Sequence, residues 1–516
     1  MLTIGKRRAT AVVDGARRRR PAAGGLAPRP AAVPSWWWAL LIPPTIACAT
    51  SWAVGGEPVL TDLGFFLLAV ACGVIAVREL ASLARTGRVA GLVLFGGVLL
   101  WFCHDYFARW AGRDFRYERG FDADLIARVA TMHCLFVLVM TAGLGLGGSD
   151  RLERLLLAVR EPRRREHYLT AVLLAFAIGL VPYVFFSRDS LVVTFERAVT
   201  GFYSGGVSFT FGRTGNLNFA WSGYLFELIK VGRFGGVLAG AYAVMIARTR
   251  LQRAIGWGIW TFWLLLAFGS GTRGQLVFVA MPVLVLLLLR HSTGAAHLAR
   301  RLRGRALLST AALATIIFVM MQVQGQLRTR GLRSDDISSV KLDDLHGNHM
   351  FSEGLPGWDR IPSSRQPFFD ETPGEGALRA LPEALFRVAV HPIPRALWTS
   401  KPIDPVWAWY NELVAGTTGA SGTTISTGIV GWWYFRFGLL GMLQGALFMG
   451  WLLAAGDRAL ARARAQRRPL AMLVCLAFIA WWFRCFRDLA IGELYEVVVA
   501  VVVLALGVRI AGWRAR

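Results

Sequence analysis

The chain has 516 residues, of which 55% are apolar and only 17% charged, with a formal net charge of +25. Repeated segments of about twenty apolar residues exclude an ordinary soluble domain and read as membrane spans. The basic excess does not point to nucleic acid, because it is parcelled into short stretches between apolar runs, as the positive-inside rule requires.

Residues 1–34 form a basic tail, with Lys6, Arg7, Arg8 and Arg17 to Arg20 set among Ala, Gly and Pro. That composition predicts a disordered cytoplasmic segment that sets orientation. The following run, 36–53, is interrupted by Pro43 and Pro44, which argues against a cleaved signal peptide. About twelve spans are expected, an all-α polytopic integral membrane protein. The first nine fall at 36–53, 59–77, 89–106, 125–147, 167–186, 221–247, 254–269, 275–290 and 306–324. A large exoplasmic loop, 325–426, precedes the last three at 427–454, 469–484 and 489–509. With the tail inside, every inner loop is basic. The large outer loop instead balances ten Arg/Lys against twelve Asp/Glu. Both termini are therefore expected in the cytoplasm, in a bacterial inner membrane; the strong preference for Arg over Lys suits a GC-rich genome.

Cys48, Cys72, Cys103, Cys134, Cys475 and Cys485 lie in or at the ends of apolar runs. They lack metal-ligand spacing and are expected to pack as small hydrophobes. No Walker or dinucleotide fingerprint and no His/Cys metal motif occurs, so neither a cofactor nor a catalytic metal is implied. The glycines around 201–206 and 232–236 lie in or beside spans, where small residues permit close helix approach. Glu227, Lys230 and Arg233 recur at helical spacing in an apolar span, as either a functional group or a self-neutralising ion pair.

Chemistry is expected where cations sit on the side that should lack them. Arg273 follows Ser270-Gly271-Thr272 in a tight turn just before a span. Exposed N–H groups, hydroxyl donors and a guanidinium there make a phosphate-binding arrangement. Arg395 and Lys401 lie in a proline-stiffened stretch, Ile393-Pro394-Arg395 to Lys401-Pro402, a bidentate fork beside a point charge. Arg484 and Arg487 stand one turn apart at another outer end. His391 is a candidate general base. Trp398, Trp432 and Tyr434 are candidates for stacking on sugar, with an aromatic belt as the plainer alternative.

Taken in order, Ser270 to Gly274, Ile393 to Pro402, the hydroxyl run Thr423 to Thr427 and the aromatic-glycine run Gly431 to Gly441 resemble the oligosaccharide repeat-unit polymerases. These are the Wzy-type enzymes of O-antigen, capsule and exopolysaccharide assembly. The resemblance in motif covers about 265–445. It implies a GT-C-like, metal-independent glycosyl transfer at the periplasmic face between undecaprenyl-pyrophosphate-linked oligosaccharides. Arg273, Arg395 and Lys401, extended by Arg484 and Arg487, would hold the donor diphosphate. Arginine does not deprotonate in proteins, so the base would be His391, Asp404 or Glu412. Membrane lipids and a chain-length-regulating membrane protein are further candidate partners. A lipid-linked glycan ligase and a flippase of lipid-linked sugars stand as alternatives.

Overall fold

The structure is a computed structural model. It describes residues 33–103, 121–159, 161, 166–186, 222–269, 273–291 and 427–486, together with isolated positions between 312 and 398 and between 498 and 509. Among these every regular element is helical: α1 (Ser35–Ala53), α2 (Pro58–Thr86), α3 (Ala90–Val98), α4 (Ala123–Gly145), α5 (Asp150–Leu156) and α6 (Glu166–Phe186). The series continues with α7 (Ser222–Met245), α8 (Arg250–Gly269), α9 (Arg273–His291), α10 (Gly428–Ala465) and α11 (Pro469–Arg484). Among the described residues, five helices are long and apolar enough to cross a membrane: α2, α4, α6, α7 and α10. The apolar stretches Ala90–Cys103, Gln275–Leu289 and Pro469–Arg484 are shorter.

Local signals place the helix ends. Pro58 and Pro469 open α2 and α11 in their first turns, where a missing N–H costs nothing. Ser149 caps α5 by accepting from Leu152 N at 3.2 Å. Gly87, at φ 66°, closes α2 by returning its N–H to Leu83 O, a left-handed stop that suits glycine. Other features depart from the sequence expectation. α2 continues to Thr86 and α10 to Ala465, so Arg78, Arg85, Arg458, Arg462 and Arg464 ride on helix rather than loop. Good helix formers beyond an apolar span extend it into the aqueous layer. α3 passes into a single π turn, Leu99–Cys103. α10 breaks at Gly438, whose φ of 65° and ψ of −166° are non-helical.

Exposure runs opposite to that of a soluble bundle. Val59, Leu63, Phe66, Val70, Val74 and Val77 are all exposed on α2, and their spacing of three and four residues makes one continuous apolar stripe. A hydrocarbon solvent makes such a stripe favourable. The interior is packed through small residues. A side chain at Gly450 would strike the Met140 carbonyl, and one at Gly143 the Leu447 carbonyl, so α4 and α10 cross backbone to backbone. α6 and α7 meet likewise at Gly179 and Gly232, with Trp263 of α8 filling the remaining space. Of the glycines expected to allow close approach, Gly232, Gly235 and Gly236 do so, and those at 201–206 lie outside the described residues. Two indole N–H groups are satisfied across helices: Trp482 Nε1 donates to Met449 O at 2.8 Å and Trp260 Nε1 to Val279 O at 3.1 Å. All six cysteines are buried free thiols, with Cys48 and Cys134 Sγ atoms 3.8 Å apart.

The bundle has two chemically different ends. At one, the end of α10 and the start of α11 are tied to the starts of α3 and α6 and to α5 by charge. Asp457 Oδ1 accepts from Val89 N at 2.6 Å and from Ala90 N at 3.1 Å. Glu153, buried, lies 2.6 Å from Arg462 Nη1 and 3.5 Å from Arg458 Nε, while Arg458 also reaches Asp150 at 2.9 Å. Glu161 accepts from the first N–H groups of α11 at Leu470 and Ala471 and from the Tyr168 hydroxyl. Among the described residues, Arg78, Arg88, Arg458, Arg462 and Arg468 lie at this end.

Candidate functional site at the aromatic end

The opposite end joins the starts of α4 and α10 to the ends of α3 and α11. Ile429 N donates to Phe486 O at 3.1 Å, which fixes the start of α10 against the end of α11. Phe102 of the π turn packs edge-on against Phe486, at 5.6 Å, and against His133, at 4.8 Å. On this frame stands an aromatic wall with guanidinium groups set into it. Trp358 lies 4.2 Å from Tyr434 and 5.4 Å from Phe435, and its carbonyl accepts from Arg128 Nη2 at 2.7 Å. A segment of the 325–426 region is thereby seated on α4 and α10.

Two arginines here are nearly fully buried, Arg436 at 6% exposure and Arg484 at 8%. Arg436 lies 3.9 Å above the Trp432 ring and donates to Trp432 O at 3.0 Å. The stack desolvates and orients the fork at once. It sits just ahead of the break at Gly438, within the same stretch of helix as the wall. Arg484 is the last residue of α11. Burying a guanidinium costs several kcal/mol unless counter-charge or hydrogen bonds compensate, so two in apolar helices at one end carry a functional implication.

The expected site residues distribute unevenly. Arg273 is the first residue of α9, with three residues between it and the end of α8 at Gly269, so its backbone stands at a helix start. That start lies away from the basic end: α6 starts there, α7 runs antiparallel to α6 (Gly179 meets Gly232, Ala175 meets Gly235), and α8 runs antiparallel to α7 (Gly256 meets Ala243, Trp263 meets Gly236). Trp432 and Tyr434 lie on the first turns of α10. Tyr434 is buried, with Trp358 stacked on it, and Trp432 has one face covered by Arg436. Trp398 is half-buried, 6.3 Å from the exposed Phe386. His391, Arg395, Lys401, Asp404, Glu412 and Arg487 lie outside the described residues. In α7, Lys230 and Arg233 are half-buried.

Sequence reasoning passed over Arg128 and gave Arg436 no role of its own. Both stand within otherwise apolar spans, and that mismatch was the available signal. Trp358 offered none, since its partners are distant in the chain. Among the described residues no group of three or more His, Cys, Asp or Glu could hold a metal ion. No family model, curated protein or solved structure matches the chain.

Proposed function

We propose that the chain is a metal-independent glycosyltransferase that polymerises undecaprenyl-pyrophosphate-linked oligosaccharide repeat units at the outer membrane face. Twelve spans, cytoplasmic termini and a GT-C-like arrangement belong to this reading. The observation that carries it is the placement of Arg436, Arg484 and the Arg273 helix start away from the basic end. Buried guanidinium groups at an end rich in aromatic side chains suit a substrate that joins a diphosphate to sugar rings.

In this mechanism an acceptor hydroxyl oxygen attacks the anomeric carbon of the donor glycan. The bond from that carbon to the diphosphate oxygen breaks, and its electron pair leaves with the undecaprenyl diphosphate. Arg273, Arg395 and Lys401, with Arg484 and Arg487, stabilise the negative charge as it develops. The hydroxyl proton passes to His391, Asp404 or Glu412. Trp398 and Trp432 steady the sugars, and Tyr434 serves as wall.

A chromosomal deletion tests this directly. The reading requires single repeat units to reach the outer face and their final acceptor while polymer is absent. Lipid-linked units trapped on the inner face would indicate a flippase. Full-length polymer retained on the lipid carrier would indicate a ligase. Either result overturns the proposal.

A further inference from the structure

Along a continuous helix, Trp433 and Gly445 would stand about 18 Å apart, at a rise of about 1.5 Å per residue, farther than an indole reaches. A Cβ at Gly445 would nevertheless lie 2.2 Å from the Trp433 ring. One at Gly441 would lie 2.0 Å from the Phe437 Cβ, where helix neighbours four apart keep about 5–6 Å. The chain therefore turns sharply between Phe437 and Gly441, and residues 428–437 fold back against the start of the helix that follows. Residues 439–465 alone make about 40 Å of helix, enough to cross a hydrocarbon core of about 30 Å.

The folded-back stretch is fixed at several points. Its start is bonded to Phe486 O through Ile429 N, Trp358 lies against Tyr434, and the Trp433 ring rests where Gly445 lacks a side chain. It carries Arg436 and Trp432, joined by their cation–π contact at 3.9 Å. Such an arm moves as a unit, so whatever sets its angle also sets where the Arg436 guanidinium stands.

We propose that Gly438, Gly441 and Gly445 are positioning residues that fix the 428–437 arm and act through Arg436, which rests on the diphosphate reading of the aromatic end. Each has its own task. Gly438 adopts φ 65° and ψ −166°, a combination essentially confined to glycine. Gly441 lets the bend close on Phe437, and Gly445 seats the Trp433 ring. Four residues apart, the last two share one face of the second helix.

The fold-back is tested on the full chain in detergent, without any activity. Trp433→Cys/Gly445→Cys should form a disulfide when treated with copper phenanthroline. Trypsin, cutting after Arg436, should then leave two peptides joined until reduction. Two unlinked thiols in a protein that melts like wild type would overturn the arm. Polymer yield beside melting temperature tests the positioning role. Gly445→Ala should lower yield about tenfold or more, since misplacing a group by about 1 Å can cost about 100-fold, with melting within a few degrees of wild type. Removing the obstructed ring, in Gly445→Ala/Trp433→Ala, should return the yield to that of Trp433→Ala alone. In an Arg436→Gln background Gly445→Ala should cost nothing further. Gly258→Ala, where nothing lies within reach of the Cβ, should behave as wild type. Wild-type polymer from Gly445→Ala, or a further tenfold loss in the Arg436→Gln background, overturns the role. So does a fall in melting and yield together that Trp433→Ala does not rescue. Should the deletion phenotype instead mark a flippase or a ligase, joined peptides still uphold the arm, which separates its failure from that of the polymerase reading.

Discussion

Arg436 and Arg484 concentrate the residue-scale argument, since a guanidinium buried in an apolar helix must be compensated or used. Arg436 is compensated in part by the Trp432 ring and carbonyl. If it serves only that local contact, Arg436→Lys should be tolerated about as well as any conservative change. If it faces a diphosphate, lysine offers a point charge in place of the fork and should restore little. We expect Arg436→Gln and Arg484→Gln each to lower polymer length or yield at least tenfold, with protein level in the membrane within about twofold of wild type. Gel profiles of extracted glycan beside immunoblots of the same membranes supply both readings. Wild-type polymer from both variants would remove these arginines from the site. Arg484 was legible in the sequence as a cation at an outer end. Arg436 was hidden inside an aromatic run, where the aromatic residues drew the interpretation.

At the scale of elements, helix meeting helix depends on glycine more than on large side chains. Lipid supplies little hydrophobic drive between helices, so close backbone approach and packing must hold them. The α4–α10 crossing at Gly143 and Gly450 is the clearest case, because a Cβ at either position meets a backbone carbonyl rather than a yielding side chain. Gly450→Leu should therefore separate the two helices. The protein should lose most of its thermal stability in detergent, or fail to accumulate, whereas Gly73→Leu should have little effect because nothing lies within reach of its Cβ. A fluorescence-detected melting series over both variants checks this, and equal melting temperatures would contradict the crossing. Helix positions were legible in the sequence because hydropathy reports length and composition directly. The π turn of α3 and the break at Gly438 were not, since both depend on how neighbouring helices press on the segment. The glycine runs announced close packing without naming the partners, which tertiary structure alone decides.

For the whole molecule, the two ends differ in what holds them. One is closed by ion pairs and carboxylate-capped helix starts, the other by aromatic contacts with embedded guanidinium groups. Positive charge counted along the sequence predicts which end faces the cytoplasm, and the grouping of Arg458, Arg462 and Arg468 with α5 agrees with that count. The proposed diphosphate chemistry requires the aromatic end to face outward, where the proposed polymerisation takes place. Orientation is thus the assumption on which the functional reading rests, and it can be tested without any substrate. Single cysteines placed near Trp358 and Phe386 should react with a membrane-impermeant maleimide in intact cells, since the proposed orientation puts both positions outside. Cysteines at Arg154 and Arg250, exposed at the basic end, should react only after permeabilisation. The six native thiols are buried and should contribute little background. Should the pattern come out reversed, the guanidinium groups of the aromatic end would face the cytoplasm. The proposed polymerase could not then work on the face assigned to it.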